Sequence, residues 1–284
     1  MYGQQRTGNA ILVPTWLGGK SSDWNGLLGP GRIIDTTRYY VVVVDALADG
    51  VSSSPSTTAG SLPQITIQDM VYTQYRLARE VLKLDHLRAV VGVSMGGIQA
   101  FEWAVAHPDF VDRFVSIVGT PQVARHDRAW LTTIVRLIDV GKTYHVPRDT
   151  VARLLAGVGV LVSDTQETIN LRLPGEADSL LAESAAGMSH RIDFDDLAMQ
   201  ARAVLAYDFY KRPGSDSAAA AARMKGRFLV INSTDDRTVS AGPPLSFARR
   251  VGLDTLSVRS SCGHGVFGCE PAMIGAAVQA FLAR

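Results

Sequence analysis

A mostly parallel, doubly wound α/β sheet, interrupted once by a long helical insertion, is the fold that this 284-residue sequence predicts. Short apolar runs bounded by turn residues alternate with longer helical patterns, the mark of strand–helix–strand units. One such run, Val41 to Val44, is β-branched without a break, the composition of a strand buried on both faces. A stretch from about residue 121 to 224 is rich in Ala, Leu and charge at helical spacing, and is too long for a loop.

Taken in order, Ala10 to Pro14 and Tyr39 to Asp45 read as the first two strands, the second lying inside the sheet because of its valine run. Ile65 to Leu84 reads as a helix, with Thr66 as N-cap, Asp69 in its first turn, and Met70, Val71, Tyr75, Leu77 and Val81 roughly on one face. Leu87 to Val93 is a strand, Gly96 to His107 a helix and Arg113 to Gly119 a strand. The insertion over 121–224 follows and is expected to cover the carboxyl ends of the strands as a lid; Ala218 to Ala222 within it reads as helix. Arg227 to Ser233, Pro244 to Val251, Thr255 to Ser260 and Pro271 to Arg284 then give strand, helix, strand and helix, so that residues 1–284 form one domain.

Composition excludes several functions. Lys and Arg together number 28 against 27 for Asp and Glu, so no broad basic field exists to hold nucleic acid or an anionic membrane. No apolar run is long enough to span a bilayer and Met1 to Asn9 lacks the pattern of a signal peptide, which points to a cytoplasmic protein, compatible with a homo-oligomer. Cys262 and Cys269 are the two cysteines; they fit neither a disulfide framework nor a zinc site and are expected to be reduced, mostly buried thiols. No H-E-x-x-H, phosphate-binding loop or dinucleotide fingerprint occurs, so neither cofactor nor metal is expected.

Chemistry concentrates in Gly92-Val93-Ser94-Met95-Gly96, a G-x-S-x-G pattern like the nucleophile elbow of the α/β-hydrolase fold. The pattern is short and also arises by chance in loops, but here a strand enters it and a helix leaves it. The tight turn needs neighbours without side chains, supplied by Gly92, Gly96 and Gly97, and it lifts Ser94 to the amino end of a helix, where a developing oxyanion is stabilised. A serine hydroxyl needs a base, and the base an orienting acid, in the chain order Ser, Asp or Glu, His. Of the six histidines only His264 lies late enough, between Gly263 and Gly265 after the final strand. The acid belongs after the penultimate strand, where Asp235 and Asp236 compete; Asp236 is preferred because Val239 would anchor its loop. The oxyanion hole is assigned to the backbone N–H groups of Met95 and Trp16, although the Trp16 side chain could equally be there for packing alone.

With these residues in place, the chain resembles the homoserine O-acetyltransferase-like branch of the α/β-hydrolases. The resemblance runs from Trp24 to about Thr120, through Gly29-Pro30-Gly31, Asp35-Thr36, Arg38-Tyr39-Tyr40, Pro63 to Val71, and the elbow with Gln99-Ala100-Phe101-Glu102-Trp103-Ala104. It implies a serine nucleophile, an aspartate falling on Asp236, a histidine falling on His264 and a ping-pong acyl-enzyme. It also implies that the chain begins near those relatives' third strand, so that the usual amino-terminal hairpin is expected to be absent.

The departures bear on the substrate. Homoserine acetyltransferases carry an aspartate directly after the histidine, where this chain has Gly265, and a Tyr-Arg-Ser lid segment that does not occur here. Ile11 to Trp16, Gly50 to Ser56 and Arg202 to Asp208 instead look like the subgroup of short-chain ester hydrolases. The leading expectation is therefore an esterase for a small-molecule ester with water as acceptor; homoserine O-acetyltransferase or a related acyl-CoA-dependent transferase is the alternative, and a non-catalytic ligand-binding homologue the third.

Overall fold

A computed structural model describes residues 1–171, 176–211 and 217–284. Six strands, β1 (Ala10–Pro14), β2 (Tyr40–Val44), β3 (Leu87–Val93), β4 (Val111–Ile117), β5 (Arg227–Ser233) and β6 (Asp254–Val258), form one sheet in the order β2-β1-β3-β4-β5-β6. Every pairing within it is parallel. Alternate residues serve opposite faces: Ile11 and Val13 of β1 point into one apolar cluster, Ala10 and Leu12 into the other. Both clusters are covered by helices, which is why the strands read as continuous apolar runs.

The valine run misleads on one point: β2 is an edge strand of the sheet, not an interior one. Its edge is covered by other means. Tyr2 and Val41 exchange backbone hydrogen bonds of 2.9 Å in an antiparallel bridge, and Val41 joins Trp24, Leu28, Ile33 and Ile34 in one cluster. Loops thus bury Val41 and Val42 as thoroughly as a flanking strand would.

The helices are α1 (Ile67–Arg76), α2 (Met95–Ala106), α3 (Arg125–Thr143), α4 (Arg148–Ser163), α5 (Gln166–Leu171), α6 (Glu176–Arg191), α7 (Phe194–Ala206), α8 (Ser217–Arg223), α9 (Gly242–Val251), α10 (Val266–Cys269) and α11 (Pro271–Ala283). Thr66 caps α1 as expected, in a reciprocal box with Asp69. The helix does not run evenly to Leu84: it loosens into a π-helical turn over Leu77–Val81, and Lys83 turns left-handed at φ 53°. Similarly β4 stops at Ile117 rather than Gly119, because Val118 takes φ 46° and leaves the extended region. α2 is buried almost all round, consistent with an apolar sequence that lacks a polar stripe.

Helices α3 to α8 occupy the chain between β4 and β5. α4 packs on α6, and α3 packs on both α4 and α7. Residues 172–175 and 212–216 of the predicted insertion lie outside the described residues. No single helix among the described residues is long and apolar enough to cross a membrane.

Candidate active site

At the carboxyl end of β3 the chain turns through Ser94, whose backbone takes φ 55°, ψ −121°. Such a conformation costs a non-glycine residue about 1–3 kcal/mol and persists only where its surroundings enforce it. Three contacts do so. The Ser94 N–H donates to the Ile117 carbonyl at 2.8 Å, tying the turn to β4. A Cβ on Gly92 would lie 2.0 Å from the Gly96 carbonyl oxygen, and one on Gly96 would lie 2.4 Å from the Pro14 carbonyl oxygen. Only glycine lets the helix start this close to β1 and β3.

His264 and Asp236 reach the same point from the ends of β6 and β5. His264 Nε2 lies 2.9 Å from Ser94 Oγ, and Nδ1 lies 2.7 Å from Asp236 Oδ2. The Asp236 side chain is 1% exposed, and its other oxygen accepts from the Thr238 and Val239 N–H groups, both at 2.8 Å. A carboxylate can only accept, so it fixes the proton on Nδ1 and leaves the Nε2 lone pair facing the Ser94 hydroxyl. Asp235, the other candidate, accepts from its neighbour Thr234 Oγ1 instead.

The loop that carries His264 is held on three sides. Thr165 and Thr168, at the start of α5, each donate a 2.7 Å hydrogen bond to the Ser261 carbonyl. Gly263, at φ 52°, passes so close to Ser163 that a Cβ would lie 3.1 Å from its carbonyl oxygen. Cys262 is bonded to Cys269, seven residues on, closing a covalent ring around the histidine. The expectation of two reduced thiols is therefore wrong. A seven-residue separation resembles no multi-disulfide scaffold, and nothing local in the sequence says that a helical turn over Val266–Cys269 brings the sulfurs together. Gly265 has no such necessity: a Cβ there would meet nothing within 4 Å.

Trp16 and Met95 line the same cavity as Ser94, and their N–H groups have no acceptor among the described residues. What orients Trp16 escaped the sequence reading. Trp103 Nε1 donates to Gln74 Oε1 at 2.9 Å, Gln74 Nε2 donates to Gln99 Oε1 at 2.7 Å, and Gln99 Nε2 donates to the Thr15 carbonyl at 3.2 Å. The Thr15 carbonyl and the Trp16 N–H share one trans peptide and point opposite ways, so holding the carbonyl aims the N–H. From α7, Gln200 accepts from the Gly18 N–H at 2.8 Å and donates to the Leu47 carbonyl at 3.0 Å. The available signal was polarity out of place: Gln74, Gln99 and Gln200 are all buried among apolar neighbours. The Trp16 ring is packing as well, in contact with Trp24 and Phe267 and so joining this loop to the segment closed by Cys262–Cys269. Asp196, also on α7, accepts from the Ser56 N–H and hydroxyl; burial pushes its carboxyl up, and the Ser56 hydrogen bonds oppose that.

Residues 11–268 match the model of the alpha/beta hydrolase fold family. The chain belongs to that family. It is 31% identical to an ethyl acetate hydrolase from Pseudomonas veronii, over 94% of this chain and 82% of that protein. It is 26% identical to a homoserine O-succinyltransferase from Alkalilimnicola ehrlichii, over 86% and 73%. Among solved structures, the acetyl esterase MekB superposes with a TM-score of 0.88 at 28% identity, covering 100% of this chain and 89% of that one.

Two measurements check this geometry. Asp236→Asn should lower kcat for ester cleavage by about 10³ to 10⁴, because the histidine tautomer is lost, while Asp235→Asn should change it by less than about tenfold; a reversed ranking assigns the orienting carboxylate to Asp235. The double variant Cys262→Ser/Cys269→Ser should lose about 2–3 kcal/mol of unfolding free energy, the loop-closure contribution of so small a ring. An unchanged midpoint in urea would show that the ring adds nothing to stability.

Proposed function

We propose that this protein is a serine esterase that cleaves small uncharged carboxylic esters through an acyl-enzyme and passes the acyl group to water. Ser94 Oγ attacks the ester carbonyl carbon as its proton moves to His264 Nε2, and Asp236 stabilises the imidazolium. The carbonyl oxygen becomes an oxyanion that accepts from the Trp16 and Met95 N–H groups, each such donor being worth about 10² to 10³ in rate. Collapse expels the alkoxide, which takes the proton from His264 and leaves as the alcohol. Water, deprotonated by His264, then attacks the acyl-Ser94 ester; the second oxyanion collapses, Ser94 regains its proton and the acid departs. In this reading the helices between β4 and β5 act as the lid of a single domain, and Gln99 and Gln200 are positioning residues.

The observation that carries the choice of water is the cavity wall beside Ser94. Among the described residues that line it there is neither lysine nor arginine. Homoserine is a zwitterion; without a cation it would forgo a charge-assisted hydrogen bond of about 1.5–3 kcal/mol to its carboxylate, and Asp127, the acid among the described lining residues, already accepts from Ser240. Space for a Cβ does not explain the absence of an acid at position 265, since a Cβ at Gly265 would meet nothing within 4 Å. Relatives named ethyl acetate hydrolase and acetyl esterase support the same reading. Acyl transfer is the second reading, favoured by relatives named as homoserine O-acyltransferases. As to location, a cytoplasmic enzyme would have to keep Cys262–Cys269 closed against a reducing thiol pool, so the bond weighs toward an oxidising compartment.

Acetyl-enzyme formed from p-nitrophenyl acetate should decay to free acetate at a rate that added homoserine barely changes, as read by mass spectrometry of the products. O-acetylhomoserine as the main product, with acetyl-CoA an efficient donor, would replace hydrolase by transferase; no turnover of any ester would leave only a binding protein. Gln99→Leu frees the Thr15 carbonyl and should lower kcat by about 10-fold to 10²-fold, less than outright loss of an oxyanion donor, with KM within about twofold. A rise in KM at constant kcat would instead place Gln99 in substrate binding.

A further inference from the structure

The cavity beside Ser94 is much larger than an ethyl acetate molecule requires. Its volume is about 380 Å³. At roughly 30 Å³ for each water-sized group, it accepts about a dozen non-hydrogen atoms, about twice as many as ethyl acetate contains. Its apolar wall is supplied by Leu131 and Ile134 of α3, Leu155 and Val162 of α4, Met188 of α6 and Leu197 of α7.

Most polar groups of the wall are already engaged. Ser240 donates to the Asp127 carboxylate from both its N–H and its hydroxyl, the latter at 2.6 Å. The Trp130 ring N–H donates to the Thr238 carbonyl at 2.9 Å, and the Thr238 hydroxyl to the Val162 carbonyl at 2.8 Å. The Thr120 hydroxyl donates to the Gln122 carbonyl at 2.6 Å. A ligand with a second polar group would bury it among partners mostly already committed, at a cost, whereas a hydrocarbon group loses nothing there.

Resting on the esterase reading, we propose that the substrate is an ester bearing one unbranched or cyclic hydrocarbon group of about six to ten carbons, held between α3, α4 and α7. The hydrocarbon belongs to the acyl or to the alkoxy side, a distinction that the experiment makes. Each methylene that leaves water for this wall contributes to binding by about two- to fourfold.

Two series decide it with the whole chain: acetates of linear alcohols from ethyl to decyl, and ethyl esters of linear acids from acetate to decanoate, with acid release followed by titration. In one series kcat/KM should climb at least about tenfold between the two-carbon and the eight-carbon member, through KM, and level off when the cavity is full. The series that climbs identifies the side. Val158→Trp, at a half-buried position on the wall, should lower the ratio of octyl to ethyl kcat/KM by at least about tenfold. Selectivity that falls from the two-carbon member onward in both series, with ethyl acetate still cleaved, overturns this inference and leaves the esterase reading intact. Failure to cleave any member, at rates no different from those of Ser94→Ala, overturns both.

Discussion

The strained turn at Ser94 is the constraint around which the rest of the structure is arranged. A residue at φ 55°, ψ −121° does not stay there unaided. Its N–H is held by β4, its glycine neighbours admit the start of α2 against β3, and the Pro14 carbonyl at the end of β1 closes over Gly96. The sheet order sets β3 between β1 and β4, the two strands that contribute these contacts. A side chain at Gly92 or Gly96 would push α2 away and with it the serine, so a local backbone demand fixes how closely the central strands and their helix pack.

Parallel strands deliver all their carboxyl ends to one edge, which is how residues from β1, β3, β5 and β6 meet there. Direction alone does not fix distances of 2.7 and 2.9 Å. Those depend on the joints between the loops: Trp16 against Phe267, Thr165 and Thr168 on the Ser261 carbonyl, and Gln200 between Gly18 and Leu47. Several joints originate in the helices between β4 and β5. The same helices that wall the cavity therefore also brace the loops around the serine.

Legibility in the sequence followed the range of the interaction. Strand types, the elbow and the chain order of Ser94, Asp236 and His264 were readable, because each rests on residues adjacent in sequence or on the order in which strands end. Val41 to Val44 reported its burial faithfully and its position wrongly, since Tyr2 and the Trp24–Ile34 region bury an edge strand just as a neighbouring strand would. The chain from Trp103 through Gln74 and Gln99 to Thr15 was illegible because its partners meet only after the fold has formed, and the Cys262–Cys269 bond, though local, because nothing in the sequence announces the turn over Val266–Cys269 that joins the sulfurs. A buried glutamine in an apolar helix announces that a partner exists without naming it.

Arg113 on β4 pairs with Arg227 on β5, so the sheet closes across the entire set of helices from α3 to α8. Chain entropy makes this excursion less costly than its length suggests, because each doubling of a loop adds only about 0.6 kcal/mol to the cost of closing it. Kinetically the arrangement is demanding, since the most distant pairing in the sheet must wait for the ends of the longest detour to find each other. Thermodynamically it is permissive: helices can lengthen, shorten or change their apolar faces while β4 and β5 still meet in the same register. Substrate range can thus drift over generations on a segment whose rebuilding leaves the strand register untouched.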